Sequence, residues 1–271
     1  MNQNLHKVLS VKYWTKNLFS FKVQRPLGFK FKSGEFVMLG LYNENQKPIL
    51  RAYSICSPSW SEELEFYSII VENGPLTSKL KNIRVDDEII LMTKSTGTLI
   101  LDALKTGERL FLFSTGTGFA PFASLIRDPE TYEKFDKVIL THTCRNNNEL
   151  GYSSQIVNEC YNNELIKDFL NDKLVFYQTT TREVSTFNGR ITDRINNNSF
   201  YNDLKIKKIN SNTDRVMICG SLEFNNEFKN LLLDLNFEEG ATNKPGNFVV
   251  EKAFVGWLVG GERLELPTLS V

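Results

Sequence analysis

The residues that could do chemistry fall in a few short stretches. STGTGFAPF (114–122) follows an apolar run, and its small side chains would let a phosphate or a flat ring approach backbone N–H groups at a helix start. It is not G-x-G-x-x-G, because Ala120 and Pro121 fill the later positions, so alone it is as compatible with a tight turn that holds no ligand. Arg145 and Arg182 each come directly after a β-like run, and Arg190 follows shortly after. Guanidinium forks suit a phosphate monoester, although three solvated surface arginines are the commoner explanation of such a set. In MICGS (217–221), Gly220 and Ser221 suit a turn and a helix N-cap, while Cys219 by itself reads as a small buried residue rather than a reactive thiol. RAYSICSP (51–58) puts Arg51, Tyr53 and Ile55 on one face of a strand, with Ala52 and Ser54 on the other. A flat aromatic ligand carrying a pyrophosphate could use a cation, a ring and a hydroxyl in that arrangement. NGPLTS (73–78) is a second turn running into a helix start, where another phosphate could sit.

Two kinds of chain segment must position these stretches. Up to about residue 101, runs of β-formers (35–41, 50–56, 64–71 and 88–93) are separated by Gly and Pro, which predicts an antiparallel barrel or sandwich with one short helix near 75–83. From about residue 108, apolar runs at 109–114, 137–144, 174–179, 214–220 and 248–255 alternate with amphipathic stretches at 119–127, 150–170 and 222–235. Apolar strands joined by crossover helices predict a parallel α/β sheet, whose ligands bind outside the carboxyl ends of the strands. The arginines at 145 and 182 lie at that edge. The change of rhythm near Thr106 and Gly107 divides the chain into 1–104, 105–255 and an extension, 256–271.

Composition narrows the function classes. Of 271 residues, 41% are hydrophobic and 24% charged, enough apolar side chain for two packed units and against disorder. Lys+Arg 32 against Asp+Glu 32 announces no nucleic-acid partner. The split is slight: 13 basic and 10 acidic residues in 1–104, hence +3, and the opposite excess in the remainder. Cys56, Cys144, Cys160 and Cys219 show no metal-like spacing, and with two histidines no metal site is expected. Neither a secretory leader nor a run of about 18 apolar residues is visible, so a cytoplasmic protein without membrane insertion is expected.

Taken in order, RAYS (51–54), GPLTSKL (74–80), KSTGTLILD (94–102), STGTGFAPF (114–122), TCR (143–145), TTRE (180–183) with GRI (189–191), MICGS (217–221) and VEKAFV (250–255) resemble the flavin-dependent ferredoxin–NADP reductase family, most closely its bacterial branch. The resemblance covers residues 5 to 255. It implies an antiparallel FAD-binding β-barrel followed by a parallel α/β NADP-binding domain, with non-covalent FAD and NADP(H) as substrate. Arg51, Ala52, Tyr53 and Ser54 would then contact flavin and pyrophosphate. Ile69, Val71, Gly74, Leu76 and Thr77 would complete the FAD site. Thr117 and Gly118 would lie between flavin and nicotinamide. Arg145, Thr181, Arg182 and Arg190 would hold the adenosine 2′-phosphate end, and Cys219, Gly220 and Ser221 would border the nicotinamide pocket. Ala253 and Phe254 match the family's terminal aromatic segment, and Ser54, Cys219 and Phe254 would flank the reacting atoms. The activity implied is hydride exchange between NADPH C4 and flavin N5, coupled to single-electron exchange with ferredoxin or flavodoxin, by a monomer rather than an obligate oligomer.

The chain departs from the family pattern after Val255. It continues as GWLVGGERLELPTLSV (256–271), with Gly256 where a Glu is common, and this stretch resembles translated non-coding sequence. Residues 258–271 are expected to have no catalytic role. Within enzymes, the competing reading is an oxygenase-reductase flavin module using NADH or NADPH; no iron–sulfur cysteine motif accompanies it. From another class, a flavin-binding electron-transfer subunit without turnover of its own remains.

Overall fold

The computed structural model describes residues 4–170 and 172–252; Ala253, Phe254 and the extension from 256 lie outside the described residues. The first sheet has six antiparallel strands: β1 (Leu5–Tyr13), β2 (Leu18–Gln24), β3 (Phe36–Tyr42), β4 (Pro48–Ser54), β5 (Glu63–Ile69) and β6 (Glu88–Thr96), in the order β4-β3-β6-β1-β2-β5. Its two edges meet through the Ile55–Phe66 bridge and the bond from Cys56 N to Glu65 O, 2.8 Å, which curls the sheet into a barrel. Phe19, Phe21, Val37, Leu39, Phe66 and Ile89 fill its interior.

The opening strands β1 and β2 are not among the β-former runs noted above. In LHKVLSVKY only Val8 is fully buried, so the polar side chains between its apolar ones mask the strand. The helix expected over 75–83 is only α1 (Thr77–Leu80).

The second sheet is parallel: β7 (Arg109–Thr115), β8 (Lys137–Cys144), β9 (Leu174–Thr180), β10 (Asp214–Gly220) and β11 (Phe248–Lys252), in the order β11-β10-β7-β8-β9. Successive residues alternate between two cores, which is why these strands read as unbroken apolar runs. Leu110, Leu112 and Met217 face α2 (Ala120–Leu125), α3 (Pro129–Lys134) and α4 (Gly151–Asn162). Phe111, Phe113 and Ile218 face α6 (Ile191–Asn196), α7 (Ser199–Leu204) and α8 (Leu222–Asp234). The single helix expected over 150–170 is two, α4 and α5 (Lys167–Leu170). The break is Asn163, extended at φ −88° and ψ 117°, whose side chain accepts from Leu165 N at 2.8 Å.

A bonded seam joins the two sheets. Arg127 Nη2 donates to Cys56 O at 2.6 Å and pairs with Glu65 at 3.0 Å; Ser124 Oγ donates to Ser57 O at 2.6 Å, and Ser33 Oγ to Asp128 at 2.6 Å. A buried pair of this kind fixes orientation more than it adds stability, because both ions lose their hydration. Packing across the seam is apolar: Leu18, Cys56 and Tyr67 of the barrel share one core with Phe119, Ile156 and Tyr152.

Candidate active site

The order of the parallel sheet reverses between β7 and β10, since the chain winds from β7 through β8 to β9 and then returns to β10 and β11. At such a switch point the loops leaving two adjacent strands diverge and open a crevice. Here those loops are Gly116–Phe119, a 3-10 turn leading into α2, and Ser221 at the head of α8. They interlock. A Cβ on Gly118 would lie 2.0 Å from the Cys219 carbonyl oxygen, and one on Gly220 would lie 2.4 Å from Thr115 Oγ1, so side chains are excluded at both places. Ser221 Oγ caps α8 by accepting from Phe224 N at 3.2 Å.

A cleft of about 450 Å³ opens over this crevice, between the barrel and the parallel sheet. Ile69, Val71, Thr117, Arg145, Thr181, Arg190 and Ser221 all line it, together with Leu18, Thr115 and Gly116. Arg145 and Thr181 leave adjacent strands and stay paired beyond them: Thr181 N donates to Cys144 O at 3.0 Å and Arg182 N to Arg145 O at 2.9 Å. Arg182 itself is exposed and is not part of the cleft wall.

The remaining barrel residues lie outside this cleft. Arg51 and Ala52 are exposed on β4, and Arg51 donates to Leu50 O at 2.7 Å. Tyr53 packs partly into the barrel core, edge-on to Phe66, and its hydroxyl lies 3.1 Å from Ser68 Oγ. Burial pushes its phenol pKa up. Ser54, half-buried, ends the strand. Leu76 belongs to the barrel core, and the Thr77 hydroxyl is engaged with Val71 N and O, both at 3.2 Å. That tie closes the 71–77 loop tightly: a Cβ on Gly74 would lie 2.4 Å from Thr77 Oγ1. Cys219 is buried and does not line the cleft, and burial raises its thiol well above the ordinary value, so it is neutral.

Several residues of the site escape sequence reasoning. Glu149, Thr192, Phe224 and Glu227 line the cleft. Glu149 was legible in principle from N-x-x-E at 146–149: its carboxylate accepts from Arg145 N at 2.8 Å and Asn146 N at 3.0 Å, a capping box that fixes the backbone at Arg145. Glu251, opposite Cys219 in the ladder, accepts from Thr98 N and from Thr98 Oγ1, the latter at 3.1 Å; burial pushes its carboxyl up to about 6. His142, fully buried beneath the 116–118 turn, gave no signal beyond being a lone imidazole in an apolar run. Among the described residues no His, Cys, Asp and Glu side chains gather in a group able to hold a metal ion.

The cleft thus has two unlike walls. Leu18, Ile69 and Val71 form an apolar side suited to a flat ring, and across from them Arg145, Arg190 and the Thr181 and Thr192 hydroxyls, together with Glu149, Glu223 and Glu227, form a charged, hydrogen-bonding side whose guanidinium groups suit phosphate. With the side-chain-free approach at Gly116, these residues fit a dinucleotide. Comparison with known proteins agrees. Residues 112–230 match the family model of the oxidoreductase NAD-binding domain. The flavodoxin/ferredoxin–NADP reductase of Rhodobacter capsulatus is 54% identical over 249 residues, 92% of this chain and 92% of the relative. The chain belongs to the ferredoxin–NADP reductase family. The ferredoxin–NADP reductase of Azotobacter vinelandii is 43% identical, over 94% of this chain and 98% of its own. The crystal structure of a ferredoxin–NADP reductase from Neisseria gonorrhoeae with bound FAD and NADP superposes with a TM-score of 0.83 at 29% identity, covering 92% of this chain and 98% of that one. The antiparallel barrel and parallel sheet expected from the sequence are therefore those of the ferredoxin–NADP reductases. Among the described residues, no helix is long and apolar enough to cross a membrane.

Proposed function

We propose that the protein is an FAD-dependent reductase that passes electrons between NADPH and a one-electron carrier, ferredoxin or flavodoxin. The observation that carries this reading is the cleft at the switch point, which sets an apolar barrel wall against Arg145 and Arg190. Residues 1–104 hold non-covalent FAD through Arg51, Ala52, Tyr53 and Ser54, with Ile69, Val71, Gly74, Leu76 and Thr77 shaping the loop beside it. Residues 105–255 hold NADP(H): Arg145, Thr181, Arg182 and Arg190 take the 2′-phosphate end, and Thr117, Gly118, Gly220 and Ser221 the nicotinamide end. Ser54 and Cys219, with Ala253 and Phe254, flank the place where the rings meet.

Bound FAD supplies the exchange between a hydride and single electrons; the protein supplies orientation and a dry, neutral surround. The chain's own residues meet those needs. Cys219 is held neutral by burial, so no thiolate competes as a nucleophile for the nicotinamide ring. The turns at Gly118 and Gly220 pack too closely against each other for side chains, which keeps the crevice shape fixed. Guanidinium groups at one end read the phosphate and so set the register of the whole nucleotide. The +3 excess of residues 1–104 favours an acidic carrier by steering its approach. A cytoplasmic monomer is the working form.

An anaerobic titration of the purified protein, followed by its visible spectrum, tests the reading. A yellow protein bleached at far lower NADPH than NADH is expected. A preparation that stays colourless after FAD is added would discard the reading.

A further inference from the structure

His142 sits in β8 with no exposed surface, and both ring nitrogens are engaged. Nε2 lies 2.8 Å from Gly116 O and Nδ1 lies 2.7 Å from Ser153 Oγ of α4. A carbonyl oxygen can only accept, so Nε2 carries the proton. Burial pushes the ring down to about 4, so at neutral pH it is uncharged, and Nδ1 faces the Ser153 hydroxyl, whose oxygen also lies 3.0 Å from Leu150 O. The ring plane is set by stacking on Phe119, centroids 5.0 Å apart and planes at 30°. Tautomer, tilt and position are therefore all determined by neighbours.

The recipient of this bond is Gly116, which has φ +52° and open space where a Cβ would stand, so no side chain of its own restricts its peptide. A glycine in that region exchanges readily with other conformations unless something tethers it. Gly116 and Thr117 both line the cleft. In a trans peptide the C=O and the following N–H point in opposite directions, so a carbonyl tied down to buried His142 sends the Thr117 N–H the other way, away from the ring.

We propose that His142 is a positioning residue, which through its bond to Gly116 O holds the 116–117 peptide in the one orientation that presents Thr117 to the nicotinamide half of the nucleotide. The inference rests on the NADP(H) reading above and deepens it. It separates two ends of one ligand: the arginine end does not depend on His142, and the 116–117 end does.

Calorimetry on the FAD-loaded protein tests this, comparing NADP+ with 2′-phospho-AMP, which lacks the nicotinamide half. His142→Gln can place its amide nitrogen where Nε2 is, whereas His142→Asn reaches only as far as Nδ1. H142N is expected to weaken NADP+ by about tenfold, the scale of one lost hydrogen bond, while 2′-phospho-AMP stays within about twofold. H142Q is expected to restore most of the NADP+ affinity, even where its thermal midpoint drops as far as that of H142N. Equal weakening of both ligands in H142N, or equal NADP+ affinities for H142N and H142Q, would overturn the proposal. Should wild-type protein bind neither ligand, the nucleotide reading itself falls; should it bind both and the variants fail to split them, only the role of His142 falls.

Discussion

Tyr67 of the barrel and Tyr152 of α4 stack face to face across the seam, ring centroids 4.2 Å apart and planes at 18°. Both are buried; the Tyr67 hydroxyl has no hydrogen-bond partner, whereas the Tyr152 hydroxyl faces the Cys56 thiol. Trp14 and Phe119 meet Tyr152 edge-on from either side, so the stack is the centre of an aromatic joint between the two sheets. Ring area holds the joint, and the Tyr67 hydroxyl only adds a desolvation cost. Tyr67→Phe is therefore expected to leave stability unchanged or raise it by up to about 1 kcal/mol, whereas Tyr152→Ala should cost about 3–5 kcal/mol. Urea unfolding of the two variants checks this; a large loss in Y67F would mean that its hydroxyl is bonded after all.

Two buried groups give opposite pH dependences. His142 titrates near 4 when folded against an ordinary 6.5, so between those values the unfolded chain binds the extra proton and stability rises with pH, by about 3 kcal/mol across the window. Glu251 titrates near 6 against an ordinary 4.5, so the folded chain holds the extra proton and stability falls with rising pH there, by roughly 2 kcal/mol. Wild type should show partial cancellation between about 4.5 and 6. Urea unfolding across this range should show stability falling with rising pH for H142Q and rising for Glu251→Gln; parallel curves for all three proteins would contradict the assignment.

Arg145 and Arg190 both line the cleft. If they read a 2′-phosphate, R145Q and R190Q should each raise the KM for NADPH by about 10- to 100-fold and leave that for NADH within about twofold. Steady-state kinetics with ferricyanide as acceptor measures both. A matching rise for NADH would assign the arginines to the pyrophosphate or to the fold.

The parallel half of the molecule was legible in the sequence because its strands are buried on both faces; RLFLFS and DRVMICG allow little else. The barrel was legible as a class, yet β1 was hidden because its single fully buried residue, Val8, leaves no clear alternation. The turn at 115–118 and the arginines after β8 and β9 could be found because they are local: a strand end followed by small or cationic residues. His142 and the Tyr67–Tyr152 stack could not, since their meaning lies in partners 26 and 85 residues away along the chain. Glu251 belongs with them, because a carboxylate in VEK shows nothing of Thr98 until the sheets are brought together.

Residues 253–271 include Ala253 and Phe254, which complete the family motif, and the extension, which does not. Removing 257–271 is expected to change NADPH-to-acceptor turnover by less than about twofold, because no residue in that stretch matches a nucleotide- or flavin-contacting motif. A large change in KM or kcat on truncation would give the extension, Trp257 first, a role at the cleft.

In the proposed reaction a hydride enters at the cleft and single electrons leave. An anaerobic count of electrons tests this: NADPH oxidised against ferredoxin or flavodoxin reduced, with cytochrome c as the final trap. About two equivalents of reduced cytochrome per NADPH are expected, at a rate that depends on the added carrier. Consumption of NADPH that ignores the carrier, with no reduced cytochrome, would contradict it.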